Sequence, residues 1–374
     1  MLGAGAAGLS AAAMLERRGV PTLVLERSRV AESWRHRYER LHLHTHRLFS
    51  SLPGYRLSAR RGAWIPRDGV VEYLEGYVRH HGIEVRSGVE ARRLDRADHG
   101  WRIETSRTPL EAPFVIVATG YEHSPFMPAW PGRESFPGEL VGASEYRNAA
   151  PYAGREVLVV GTGNTGAEIA VDLHEGGASA VLLSVRTPPH VFHRAYGGIP
   201  AQMASLALHR LPAAIGDPLA GALQRATVGD LSRFGLPRPA RGMLSDFKQR
   251  DVVPILDVGL IRLLKKGLVT VVPAVEGFDG PRVLLAGGHS VEPDVVIAAT
   301  GYRRGLEPLV GHLGVLGVNG SPRRSGGDTD PAAPNLHFIG FLNPLSGRLW
   351  SMQFESRRIA RAVAAARDDR RAAA

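Results

Sequence analysis

Three groups of residues in this chain have types and spacings that could do chemistry. Two are glycine loops: Gly3-Ala4-Gly5-Ala6-Ala7-Gly8 and Gly161-Thr162-Gly163-Asn164-Thr165-Gly166 both read G-x-G-x-x-G. Glycines at that spacing let a backbone turn tightly and approach a pyrophosphate at a helix N-terminus, where free N–H groups and the helix dipole favour anions. The third group is His42, His44 and His46. On a strand these alternating imidazoles would share a face, as metal ligands or as hydrogen-bonding groups. No nearby helix offers an obvious fourth metal ligand.

In a chain with 44 glycines a lone glycine motif is weak, so the flanking elements decide. After the first loop, Leu9 to Arg18 reads as a helix ended by Gly19, and Pro21 to Leu25 as a buried strand. Glu26 closes that strand about 20 residues after the glycines, where a carboxylate can accept hydrogen bonds from a ribose diol. This loop is expected to take FAD or NAD. Only Met1 and Leu2 precede Gly3, whereas a central first strand usually has about five residues. Either the true start lies upstream or the sheet lacks most of that strand.

The second loop has the fuller context. Val157 to Val160 is an apolar strand, Ala167 to Leu173 continues as a helix, and Ala180 to Val185 is the next strand. No acid ends it. Ser184 and Arg186 stand there instead, a hydroxyl and a guanidinium that suit the 2′-phosphate of NADP. The plainer reading of Arg186 is a solvated arginine in an arginine-rich chain. Two nucleotide folds in one chain imply electron transfer from a pyridine nucleotide to a flavin. Two apolar strands ending in A-T-G-Y, Phe114 to Tyr121 and Val295 to Tyr302, fall where the chain would leave one nucleotide domain for the other.

Composition narrows the remaining classes. The chain has 374 residues, enough for two domains. It has no cysteine, which excludes a disulfide framework, a thiolate nucleophile, a CxxC redox pair and a cysteine-ligated metal. The net charge of +10 comes almost wholly from arginine spread without a basic block, so no nucleic-acid partner is expected. No apolar run approaches the roughly 20 residues of a membrane span. Leu2 to Leu15 could pass for a signal-peptide core, but no positive segment precedes it, and a cytoplasmic location is expected. G-x-S-x-G and H-E-x-x-H are both missing, so neither an α/β-hydrolase nor a zincin is supported.

The paired glycine loops, the second A-T-G-Y and the linker Phe136-Pro137-Gly138…Tyr146 resemble the flavin-containing monooxygenase family. The linker departs from the family pattern at Gly142, where a histidine is usual. Within the family the chain looks most like the plant auxin-forming, YUCCA-type branch and its bacterial relatives, on Tyr38-Glu39-Arg40-Leu41-His42-Leu43-His44, the Leu231 to Arg241 stretch and Pro254-Ile255-Leu256-Asp257-Val258-Gly259. The resemblance implies an α/β fold of two Rossmann-like dinucleotide-binding domains of the three-layer type. The FAD domain would be discontinuous, 1–150 and 295–374. The NADP domain, 151–294, would be inserted in it, with a helical insertion at about 195–250 broken by Pro212, Pro218 and Pro237.

The implied chemistry is reduction of FAD by NADPH, formation of a C4a-(hydro)peroxyflavin with O2, and oxygenation of a small organic substrate. N- or S-oxygenation and oxidative decarboxylation of a 2-oxo acid both fit. The resemblance places His44 beside the flavin as the catalytic candidate, Trp34 as a ring cover or a core aromatic, and Arg35 near pyrophosphate. It also places Gly347 at the head of a terminal helix aimed at the flavin. An NADPH oxidase or flavin reductase is the alternative that Gly142 motivates. A flavin-free relative is the one that the short first strand motivates. Homodimerisation is left open.

Overall fold

The structure, a computed structural model, describes residues 1–208 and 210–373. The chain forms two compact units. The first comprises Met1–Arg35, Thr45–Ser124 and Tyr302–Ala374; the second comprises His36–His44 and Pro125–Gly301.

Each unit is built on the same plan. In the first, the parallel strands run Glu84–Ser87, Leu23–Glu26, Leu2, Val115–Val117, Leu336–Phe338 across the sheet. In the second they run Thr270–Pro273, Ala180–Val185, Glu156–Val160, Val295–Ala298, Glu139–Gly142. The central strand of each leads into a glycine loop and a helix, Ala6–Glu16 in one unit and Asn164–Glu175 in the other. A three-stranded antiparallel meander precedes the A-T-G strand in both: residues 91–112 in the first unit and 275–291 in the second. Val115–Val117 and Val295–Ala298 are buried throughout, as strands covered on both faces must be.

Leu2 occupies the central place of the first sheet. Leu2 bridges Val117 on one side and Leu25 on the other. Its N–H donates to Ile116 O at 2.9 Å, and its carbonyl accepts from Ala118 N at 2.8 Å. The Met1 amine donates to Leu23 O at 2.9 Å, and burial pushes that amine down to about 5.

The domain boundaries expected from sequence shift. Val295–Ala298, assigned to the first domain, hydrogen-bonds between Glu156–Val160 and Glu139–Gly142, so it belongs to the second sheet. Glu139–Gly142 moves with it. The helical insertion holds helices Ala201–Leu208, Ala213–Thr227 and Met243–Arg250. Pro212 caps the middle helix, but Pro218 lies inside it, costing a hydrogen bond without breaking it.

The second unit's core gathers Tyr146, Tyr152, Ile169, Leu173 and Leu183. Tyr146 is fully buried, stacks on Tyr152 at 5.7 Å, and donates its hydroxyl to Asp172 Oδ2 at 2.6 Å. The linker aromatic is therefore a core residue locked to the second glycine-loop helix. Replacing Tyr146 with Phe leaves the ring packed and removes one hydrogen bond to a charged acceptor. A loss of about 1.5–3 kcal/mol in denaturant unfolding is expected.

In the first unit, burial pushes His337 below the ordinary imidazole range, against a hydrogen bond between its Nδ1 and Gly326 O at 3.1 Å. The folded chain then binds fewer protons than the unfolded one below about pH 6.5, so stability is present above that pH and is lost as pH falls. Urea midpoints should decline on the acid side, and His337→Gln should flatten that decline.

Candidate functional site

The outer glycines of both loops are demanded by the protein itself. A Cβ on Gly3 would lie 2.6 Å from Ala118 O, and one on Gly8 would lie 2.0 Å from Gly3 O. In the second unit a Cβ on Gly161 would lie 2.4 Å from Ala299 O, and one on Gly166 would lie 2.0 Å from Gly161 O. Each A-T-G segment thus presses against the loop of its own sheet. The middle glycines differ. Gly5 and Gly163 have ordinary φ values of −84° and −82°, and a Cβ on either meets nothing within 4 Å. Neither contact nor backbone conformation requires glycine there. Both residues sit at the N-cap of a helix that has no side-chain cap and no acid in its first turn. A cradle of that form fits a pyrophosphate.

Around the first cradle, Glu26 ends its strand and accepts Ala4 N–H through Oε2 at 2.8 Å and Ser28 N–H through Oε1 at 2.9 Å. The carboxylate is thereby fixed beside the loop. The short helix Glu32–Arg35 begins after Ala31, whose N–H reaches Ala4 O at 3.3 Å. Trp34 on it is half-buried. Arg35 pairs with Glu75, while its buried Nε has no partner among the described residues. Such an orphaned donor fits a further acceptor. Gly347, at φ +95°, precedes the helix Arg348–Ala373.

Around the second cradle the side chains divide. Arg186 is exposed at the end of Ala180–Val185. Ser184 is turned inward: it is 1% exposed and donates to Pro273 O at 2.8 Å. The expectation that its hydroxyl meets a phosphate gives way, because strand alternation spends it on the neighbouring strand. Asn164 is also engaged. Its amide donates to Pro254 O at 3.2 Å, and its carbonyl oxygen accepts Leu256 N–H at 2.8 Å. It braces the Pro254 to Gly259 segment, and Asp257 in that segment accepts the Gly259 and Ile261 N–H groups.

The helix Asn164–Glu175 presents Glu168, Asp172 and Glu175 on one face, at i, i+4 and i+7. The strap His36–His44 lies along that face. Tyr38 donates its hydroxyl to Glu168 Oε2 at 2.8 Å, Arg40 pairs with Glu175, and His44 Nε2 pairs with Glu168 Oε1. The Arg40 guanidinium holds the Glu175 carboxyl below its usual range. The Glu168 side chain is only 4% exposed, whereas His44 is 23% exposed. A carboxylate partner favours the tautomer with the proton on Nε2, which leaves Nδ1 as the ring's acceptor. A backed, oriented imidazole of this kind can accept and return a proton.

The acidic stripe is the feature that motif reading passes over, although its spacing alone would reveal it. The other two histidines go elsewhere: His42 Nδ1 meets Arg40 O at 2.8 Å, and His46 caps a short turn and stands edge-on to Trp64. Among the described residues no group of three or more His, Asp or Glu is arranged to hold a metal.

The sequence matches the pyridine nucleotide-disulphide oxidoreductase family over residues 1–194. The indole-3-pyruvate monooxygenase YUCCA1 of Oryza sativa subsp. japonica is 37% identical over 322 residues, which cover 84% of this chain and 79% of the rice protein. A flavin-containing monooxygenase from Stenotrophomonas maltophilia shares the fold with a TM-score of 0.72 and 23% identity, over 97% of both chains. Bacillithiol disulfide reductase from Staphylococcus aureus gives 0.69 and 18%, also over 97% of both. These two structural likenesses speak to fold alone.

The two kinds of glycine predict opposite phenotypes. Gly166→Ala should fail to fold or melt far lower, since its Cβ strikes backbone. Gly163→Ala should keep its circular dichroism melt and lose dinucleotide affinity about tenfold or more, measured by titration.

Proposed function

The chain belongs to the flavin monooxygenase family, and from that premise we propose that it is an FAD- and NADPH-dependent monooxygenase of small organic molecules. The observation that carries the cofactor reading is the pair of middle glycines, Gly5 and Gly163, whose open surroundings leave room for a group close to the backbone. Bound FAD and NADPH would supply the hydride transfer and the activation of O2.

The chain's own residues bind and orient. In the first unit the Ala6–Glu16 helix start faces a pyrophosphate, Glu26 meets a ribose diol, and Arg35 Nε offers a further donor. Trp34 covers part of the same region, and Gly347 opens the terminal helix whose dipole favours negative charge nearby. In the second unit Gly161, Gly163 and Gly166 shape the other cradle, and Arg186 suits the 2′-phosphate that separates NADPH from NADH. His44, oriented by Glu168, exchanges a proton with the reacting group through Nδ1.

The name of the rice relative supports a 2-oxo acid as substrate, with N- or S-oxygenation as the competing class. A cytoplasmic location is part of the same reading; among the described residues no helix is long and apolar enough to cross a membrane.

Gly142 favours a second reading, an NADPH oxidase or flavin reductase without substrate oxygenation. A Cβ there would lie 3.2 Å from Glu145 Oε1 and 3.3 Å from Ser144 Oγ, tighter than ordinary packing but against the ends of side chains that can give way, so the fold does not demand glycine.

Purified protein should retain FAD through gel filtration, and substrate should accelerate NADPH oxidation with incorporation of one labelled oxygen atom from O2. Stoichiometric H2O2 with every substrate tried would transfer support to the oxidase reading. Glu168→Gln should retain FAD and NADPH binding yet lower the yield of product per NADPH about tenfold, read by product and peroxide assay. Arg186→Ala should raise the KM for NADPH about tenfold and leave that for NADH unchanged.

A further inference from the structure

A local excess of positive charge lies in the first unit, just past its A-T-G-Y segment. The Arg304 guanidinium stacks on the Tyr121 ring, 3.2 Å from its centroid, and the Arg348 guanidinium lies 4.9 Å from the same centroid. A ring can favour a cation over its face, but two guanidiniums at one ring repel each other unless anions compensate them. Glu122 pairs with Arg348 at 2.5 Å. Among the described residues no carboxylate lies within ion-pair distance of Arg304.

The backbone holds Arg304 in place. Its Nη1 donates to Tyr121 O at 3.1 Å and Tyr302 O at 3.4 Å. Next to it Gly305 adopts φ +63°, and a Cβ there would lie 2.4 Å from His123 Nδ1 and 2.8 Å from Ser124 Oγ, so the chain presses closely on the 121–124 segment. With Nη1 spent on carbonyls and Nε enclosed without a partner, Nη2 is the remaining donor nitrogen of a half-buried side chain. Arg348 opens a 26-residue helix with no acid in its first turn, whose dipole adds to the positive potential. The cluster follows the C-terminal end of Val115–Val117, the side of a doubly wound sheet where ligands bind.

We propose that Arg304 and Arg348, carried against the Tyr121 ring, form a subsite for the oxyanion of a small molecule, a carboxylate or a phosphate ester. Planar guanidinium forks match either group, and the half-buried setting strengthens the charge-assisted bonds. Glu122 is a competitor within the cluster: it occupies Arg348 until a ligand anion shares it. The subsite itself follows from the geometry; only the choice of an oxygenase substrate as its occupant rests on the monooxygenase reading.

The test is equilibrium binding to the FAD-loaded protein, which needs no turnover and so separates this proposal from the fate of the functional reading. The probes are phenylpyruvate, its neutral analogue phenylacetone, and NADPH. Arg304→Gln should weaken phenylpyruvate tenfold or more and leave phenylacetone unchanged. Glu122→Gln should act in the opposite direction, tightening phenylpyruvate severalfold, an outcome that a merely structural ion pair would not give. Weaker NADPH or FAD binding in Arg304→Gln, with phenylpyruvate unchanged, identifies the oxyanion as a cofactor phosphate and sustains the subsite with that source. If Arg304→Gln does not fold, the Glu122→Gln titration alone decides. Unchanged affinity for every anionic probe in the variants that fold overturns the proposal.

Discussion

Everything else in each unit depends on a contact between two pieces of backbone. A carbonyl at the end of the A-T-G strand meets the first glycine of the loop, and that glycine's own carbonyl meets the last one. No side chain fits between them. The contact locks the loop onto the strand beside it and brings the helix start to the end of the sheet, so the helix N–H groups open outward rather than onto protein. The same contact, with nearly the same spacings, occurs at Gly3 against Ala118 and at Gly161 against Ala299. The repeated A-T-G is therefore a packing partner for a glycine, once in each fold.

The second constraint is electrostatic. A helix whose start must welcome anions carries its acids further along, at 168, 172 and 175, away from the first turn. There they hold the strap of residues 36–44 and the linker tyrosine. The strap crosses more than 120 residues of sequence to reach Glu168, and it brings a histidine with it. Glu168 is buried, so it is held by both partners, the Tyr38 hydroxyl and the His44 imidazole.

Much of this was legible in the sequence because it is local. The glycine loops, Glu26 and the A-T-G strands announce themselves within a few residues. What was hidden is long-range. Leu2 could not be read as a strand because one residue has no period; its neighbours on both sides define it. The meanders carry no motif, although Gly100–Thr105 alternates cleanly between buried and exposed positions. Ser184 has a residue type that suits a ligand, but the pleat decides its direction. Asn164 looked like part of a phosphate loop, and its amide proves to hold backbone ninety residues away.

That brace has a consequence for how such a protein can change. Val191–His193 and Ile255–Asp257 run side by side as paired strands, and Asn164 pins the second of them to the start of the nucleotide helix. The helices between them leave and return through a single fixed doorway. Val228, Leu231 and Leu236 of the excursion reach back into the core that packs on the nucleotide helix, so a change that spares those three and the brace leaves the glycine loop supported. The outward-facing remainder of the excursion is free to diverge while the scaffold beneath it stands still.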